Sequence, residues 1–360
     1  MLENFFYKVK NGMPCTVVFF GGSITAGAGA SSYEKCYAGF VTEYLKAAYP
    51  DVPFTFVNAG IGATGSSLGV YRCDRDVVSH HPDLVFFEFA VNDYGFPFLD
   101  VAQYTEGILR KLRSADPRTD VIMLYNMTMW MSDALNDAKI LASRTAQSAV
   151  AYYYEGIPQL NVGDALRAPT LAGGGDWHQY TKDCTHPNDA GYAIINRHIE
   201  TLLKESYADC DGTVLPEAHR LPPHLFPVHP MDAAHIEDAF DMPLPEGWTA
   251  CEKPLAGAYP HYIEADKPGT TLVYRFRGSR LSLFAMMGKD SGDVEISVDG
   301  GAFEKRRLWD VHCPAFDRGT EVGMVRGLEE GDHTFTLRVS EGKAERSEGH
   351  AIRIGAFLVS

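Results

Sequence analysis

Val17-Val18-Phe19-Phe20-Gly21-Gly22-Ser23-Ile24-Thr25 decides how the rest of the chain is read. Four apolar residues in a row, two of them β-branched, predict a strand buried on both faces. Two glycines then end it, and a serine stands where the chain leaves the sheet. Glycine permits the tight turn and close backbone approach such a place needs. Backbone N–H groups at the turn can face a small anion or a developing oxyanion. The serine is a candidate nucleophile, but a hydroxyl needs a base to take its proton. The rival readings are a plain strand-ending turn and a phosphate-cradling loop. Against the second, the stretch lacks Gly-Lys-Ser/Thr and has no Gly-x-Gly-x-x-Gly in register after the strand.

Outward from this stretch, strands and helices alternate. Apolar residues at helical spacing from Tyr37 to Ala48 predict a helix that Pro50 ends. Further strands are expected at 54–57, 83–91, 121–125 and 159–162, and further helices over 68–78, 104–112, 143–154 and 192–203. This is the βαβ rhythm of a parallel sheet covered on both faces, an α/β domain. In such sheets function collects beyond the carboxyl ends of the strands. Ser23, the glycine-rich turn Gly60-Ile61-Gly62-Ala63-Thr64-Gly65 and Asn92 each follow a strand. Three loops therefore converge on one edge.

The rhythm stops near Asp211, which bounds a first domain at 1–212. From Thr213 to Trp248 prolines are dense (Pro216, Pro222, Pro223, Pro227, Pro230, Pro243, Pro245), so 213–248 reads as an extended connector lying on a domain surface. Beyond it, 249–360 carries short strand signals at 271–276, 280–285, 293–298, 334–339 and 351–359. Asp299-Gly300-Gly301 and Glu330-Gly331-Asp332 give turn signals between them. That pattern predicts an all-β sandwich.

At 360 residues the chain is long enough for two domains. A formal charge of −15 argues against nucleic acid or an anionic membrane as partner, since both reward a basic face. The seven cysteines are an odd number without zinc spacing and read as reduced thiols, hence a cytoplasmic protein. Residues 1–10 have no long apolar core of a secretory signal, and no run approaches the ~20 residues of a membrane span. No metal or other cofactor is expected.

The base for Ser23 is offered by Asp183-Cys184-Thr185-His186-Pro187. His186 could take the serine proton on one ring nitrogen while Asp183 holds the other in the right tautomer. Asp176 and Asp189 are rivals for the acid. For the oxyanion, the Ser23 N–H, an N–H of the 60–63 turn and the Asn92 carboxamide are at hand. Asp93 reads as structural, bonding backbone N–H groups of neighbouring loops.

Taken in order, these four blocks resemble the SGNH (GDSL-like) hydrolases. The family's first block is usually Gly-Asp-Ser, here Gly21-Gly22-Ser23. The second-block glycine falls in Asn58-Ala59-Gly60-Ile61-Gly62-Ala63, where Gly62 or Ala63 would be the donor and Gly62 is favoured. The third, Gly-x-Asn-Asp, appears as Ala90-Val91-Asn92-Asp93, and the last, Asp-x-x-His, as Asp183 and His186. The resemblance spans roughly 14–206 and implies a flavodoxin-like three-layer domain with Ser23, His186 and Asp183 as triad. It also implies Ser23, Gly62 and Asn92 as oxyanion hole.

The domain order is similar to carbohydrate O-acetylesterases with a C-terminal carbohydrate-binding jelly-roll, especially the mannan-oligosaccharide acetylesterases of carbohydrate esterase family seventeen. An acetylated oligosaccharide is then the expected substrate. Trp177 and Trp309 are candidate sugar platforms, each set against a plain core role. Asp290, Asp293 and Asp299 could hold calcium, although turn acids are commoner. A lysophospholipase or thioesterase on the same fold is one alternative activity, and a non-catalytic carbohydrate-binding protein another. A homo-oligomer stays open.

Overall fold

The structure, a computed structural model, describes residues 2–171, 175–255 and 259–360. It divides into two compact units, Met1–Asp232 and Ala233–Ser360. The first begins α1 (Glu3–Lys10), β1 (Cys15–Gly21), α2 (Tyr37–Ala48), β2 (Phe54–Gly60), α3 (Ser66–Asp76), β3 (Leu84–Glu88) and α4 (Phe98–Ala115). It continues β4 (Asp120–Leu124), α5 (Met129–Asn136), α6 (Ala142–Tyr154), β5 (Gln159–Leu160), α7 (Val162–Leu171) and α8 (Asp189–Asp209).

The five strands form one parallel sheet in the order β2-β1-β3-β4-β5, the flavodoxin-like winding. Each inner strand is apolar because helices cover both faces: every residue of β3 and β4 is buried, and in β1 all but Thr16. Edge strand β2 alternates with half-exposed and exposed positions instead. A parallel sheet sends all its strand-to-helix loops to one edge, so the segments after β1, β2, β3 and β4 lie side by side there.

Three helices, α1, α5 and α7, were not expected from periodicity. They are short, and α7 contains Pro169. Helix α1 buries Phe5, Phe6 and Val9, with Glu3 in its first turn and Lys8 and Lys10 in its last, as the helix dipole favours.

Residues 213–232 belong to the first unit, so the division falls inside the proline-rich segment. Without secondary structure of its own, this strap must pair its backbone with side chains. Arg118 donates to Pro216 O, and Arg113 to Arg220 O at 2.7 Å. Arg110 donates to Pro222 O at 2.8 Å and Tyr153 to Pro223 O at 2.9 Å. Buried Glu106 accepts the N–H groups of Leu225 and Phe226.

The second unit holds β6 (His235–Asp238), β7 (Thr249–Cys251), β8 (Tyr262–Ala265), β9 (Thr271–Met287), β10 (Asp293–Val298), β11 (Glu304–Arg307), β12 (Arg318–Val339) and β13 (Ile352–Val359). They form a curled antiparallel sheet in the order β11-β10-β12-β9-β13-β8-β7, with β6 on β13. Its core includes Leu272, Leu281, Leu283, Phe335, Leu337 and Phe357.

The strands expected separately at 271–276 and 280–285 are one strand, β9. The Glu330-Gly331-Asp332 turn signal lies inside β12, where the register shifts between Arg326 and Gly331. Bulges that bend long strands use the same glycines as turns do. Asp290 pairs with Arg353, buried Asp293 with Arg307, and Asp299 with His333, so each of these acids serves an ion pair.

Candidate active site

Ser23 follows β1 directly, and the residues around it explain the two glycines. A Cβ on Gly22 would stand 2.1 Å from Asn92 Oδ1, so the Asn92 carboxamide lies against this glycine, where the related family usually has aspartate. A Cβ on Gly29, whose φ is +90°, would collide with Pro187 O at 2.2 Å. The chain after Ser23 therefore passes against the segment that carries His186.

Ser23 Oγ is 2.8 Å from His186 Nε2, and His186 Nδ1 is 2.8 Å from Asp183 Oδ2. Asp183 Oδ1 also accepts the N–H groups of Thr185 and His186, both at 2.7 Å. A carboxylate can only accept, so Nδ1 carries the imidazole proton and Nε2 is left to accept from the Ser23 hydroxyl. Partial burial pushes the Asp183 carboxyl up. The hydrogen bonds from the His186 ring and the two N–H groups outweigh that and hold it below its ordinary value.

The loop after β2 meets the same place: a Cβ on Gly62 would lie 3.8 Å from Ser23 Cβ, while Ala63 takes a left-handed φ of +60°. Asp93 is buried and accepts the Ser66 N–H at 2.8 Å and the Gln147 side chain at 2.7 Å. It thereby ties the Asn92 turn to the start of α3. Burial pushes its carboxyl up to about 6. Asp176 accepts from His178 N, and Asp189 accepts from Ser31 and Lys35, so neither rival acid pairs with His186.

Ser23, His186, Asp183, Gly62 and Asn92 are thus brought together; the two tryptophans are largely buried. A sugar platform needs a bare ring face. Trp177 is 7% exposed within the core of the first unit, and Trp309, 9% exposed, packs with Met287, Cys313 and Ala344 in the second. Exposed aromatic rings stand instead on the loop after β3 and on α5: Tyr94, Phe96 and Trp130, each at least 40% exposed. Trp130 lies in the first turn of α5, which Thr128 caps. The preceding residue, Met129, donates its N–H to Cys184 O in the His186 loop at 2.8 Å.

Around the Ser23 turn is a set of polar side chains, with Arg72 and Tyr192 buried and Asn58 exposed, that periodicity did not disclose. Arg72 donates to Gly21 O and Ala59 O, joining the ends of β1 and β2. Tyr192 donates to Ile24 O and Ala28 O, and Asn58 to Thr25 O. Glu88 hid in plain view, as the one charged residue of the otherwise apolar β3.

A Ser-His-Asp relay at the loop edge of a parallel α/β sheet is an arrangement in which a serine hydroxyl can be activated for hydrolysis. Residues 19–194 match the model of the GDSL-like Lipase/Acylhydrolase family: the chain carries a GDSL-like lipase/acylhydrolase domain and is a carboxylic-ester hydrolase. The whole chain is also similar in fold to a two-domain esterase active on acetylated mannans. Two crystal structures of that esterase match, one of them co-crystallized with mannopentaose. They superpose with TM-scores of 0.82 and 0.83 at 24% identity, covering 100% of this chain and 94% of theirs. No curated protein matches the chain. Among the described residues, no group of three or more His, Cys, Asp and Glu could hold a metal ion, and no helix is long and apolar enough to cross a membrane.

Proposed function

We propose that this protein is a serine esterase that removes O-acetyl groups from plant-type oligosaccharides, with manno-oligosaccharides favoured and xylo-oligosaccharides next. The observation that carries the reading is the continuous relay Ser23 Oγ, His186 Nε2, His186 Nδ1, Asp183 Oδ2, with both links at 2.8 Å. Ser23 Oγ attacks the acetyl carbonyl as its proton passes to His186. The N–H groups of Ser23 and Gly62 and the Asn92 carboxamide hold the oxyanion. The bond to the sugar oxygen breaks, and His186 returns the proton to that oxygen. Water then adds to the acetyl-enzyme, giving its proton to His186, and acetate leaves with Ser23 restored.

Full-length likeness in fold to an esterase of acetylated mannans supports the choice of sugar ester. It also supports a carbohydrate-binding role for the second unit. Tyr94, Phe96 and Trp130 supply the apolar surface against which pyranose rings pack. All seven cysteines are free thiols, in keeping with the cytoplasm. The test is mass spectrometry of acetylated manno- and xylo-oligosaccharides incubated with the protein, beside a lysophospholipid and an acyl thioester. Loss of acetyl groups from the sugars, faster than hydrolysis of the other two, is the expected result. Preference for either lipid-type substrate would overturn the reading.

A further inference from the structure

Glu88 lies directly below the Ser23 turn, is 0% exposed, and has no part in the steps above. Its backbone carbonyl accepts the Gly22 N–H at 3.3 Å, and its Oε2 accepts the Thr25 hydroxyl at 3.2 Å. One residue of β3 therefore grips the turn on both sides of Ser23. Thr25 Oγ1 is in turn 2.7 Å from the Tyr37 hydroxyl, and both side chains are wholly buried. Each hydroxyl has one proton, so the consistent direction runs from Tyr37 to Thr25 to Glu88.

The second carboxyl oxygen, Oε1, and both amide atoms of Asn126 make no hydrogen bond of good geometry among the described residues, although the Asn126 amide is close enough to act on the Glu88 carboxyl. A carboxyl that keeps its proton can offer it there; a carboxylate in the same place would be a buried charge, which is costly unless paired. We propose that Glu88 is a positioning residue of this esterase: its carboxyl, through Thr25 and Tyr37, fixes where the Ser23 hydroxyl stands relative to His186. The proposal rests on Ser23 being the nucleophile.

Burial pushes the Glu88 carboxyl up to about 8; the Asp93 charge adds to this, while Asn126, Thr25 and the Gly22 N–H work against it. The titratable groups that face it are Asp93 after β3, Tyr37 on α2 and Tyr192 on α8. Both tyrosines are held well above their ordinary range, chiefly by burial, and Asp93 titrates near 6. Between pH 7 and 9 Glu88 is thus the member of this group that changes charge. Its ionisation disturbs the turn from below and lowers turnover on the alkaline side.

The buried carboxyl also makes stability depend on pH. Unfolded, Glu88 loses its proton near 4.5; folded, near 8. The unfolded state binds fewer protons in that window, so the Glu88 contribution to stability falls as pH rises from 4.5 to 8. A Glu88→Gln variant, with no proton to lose, would escape that fall.

The experiment compares full-length wild type, Glu88→Gln, Glu88→Ala and Ser23→Ala on an aryl acetate from pH 6 to 10, with melting curves at each pH from 5 upward. Glutamine can accept from Thr25 and donate toward Asn126, so E88Q is expected to keep kcat within about threefold at pH 7. It should also lose the alkaline decline near pH 8, and its melting temperature should gain on wild type as pH rises from 5 to 8. For E88A, kcat should fall about 10²-fold with KM nearly unchanged, because the hydroxyl is misplaced.

An E88A that keeps kcat within threefold, or an E88Q with the wild-type alkaline limb, overturns the proposal. If E88A does not melt cooperatively, the E88Q profile decides alone. A fully active S23A would remove the nucleophile reading and this proposal together. An inactive S23A beside an unaffected E88A removes only the role of Glu88.

Discussion

The turn that carries Ser23 is held by four elements: buried Glu88 from β3, Arg72 from α3 and Tyr192 from α8, and exposed Asn58 from edge strand β2. The loop that carries His186 is held mostly by itself. Thr181 and Pro187 form a bridge, Lys182 N–H donates to His186 O at 2.8 Å, and Asp183 accepts two N–H groups of its own loop. Its one described tie to α5 is the bond from Met129 N–H to Cys184 O. Asp183 is about half exposed, whereas Glu88 is sealed. One half of the relay is thus part of the scaffold and the other is a surface loop with a short internal brace. Damage should propagate into the fold from the first and stay local in the second.

His186→Ala is the strongest challenge to that contrast. It removes the base but none of the backbone bonds that shape the loop. We expect kcat to fall at least about 10³-fold while the melting temperature stays within about 2 °C. A large loss of stability would mean that the loop is not self-braced.

Asn92→Ala works on the scaffold side, since its carboxamide packs on Gly22. Here kcat should fall about 10²–10³-fold, and the melting temperature should drop measurably as well. Loss of stability without loss of turnover would make Asn92 a brace and not an oxyanion donor.

The smallest effect belongs to Trp130→Ala, an exposed ring one residue from the tie to the His186 loop. On an acetylated oligosaccharide kcat/KM should fall about tenfold; on a small aryl acetate it should hardly change. Equal losses on both would show that Trp130 supports the loop rather than the sugar.

These contrasts were unevenly legible in the amino-acid order. Ser23 and Asn92 stood out because chemistry placed at strand ends leaves short local patterns, and parallel pairing makes those ends converge; Asp183 and His186 stood out as an acid and a base three residues apart just before α8. Glu88 gave only the weak signal of an acid in a strand read as buried on both faces, because its partners Thr25, Tyr37 and Asn126 come from three other segments. Trp177 and Trp130 could not be ranked, since which ring stays bare depends on packing between elements far apart in the chain. In the second unit, β9 was read as two strands and only the last six residues of β12 were read as strand, because both carry turn-like glycines where the register shifts.

In the proposed mechanism Ser23 forms a covalent acetyl-enzyme. Full-length protein mixed with excess aryl acetate and quenched in acid within the first turnovers should show, by intact mass, a species about 42 Da heavier. Peptide mapping should place that mass on the peptide containing Ser23, and S23A should show none of it and less than about a tenth of the wild-type turnover. An acetyl group found on another residue, or an S23A protein that still turns over at the wild-type rate, would contradict it.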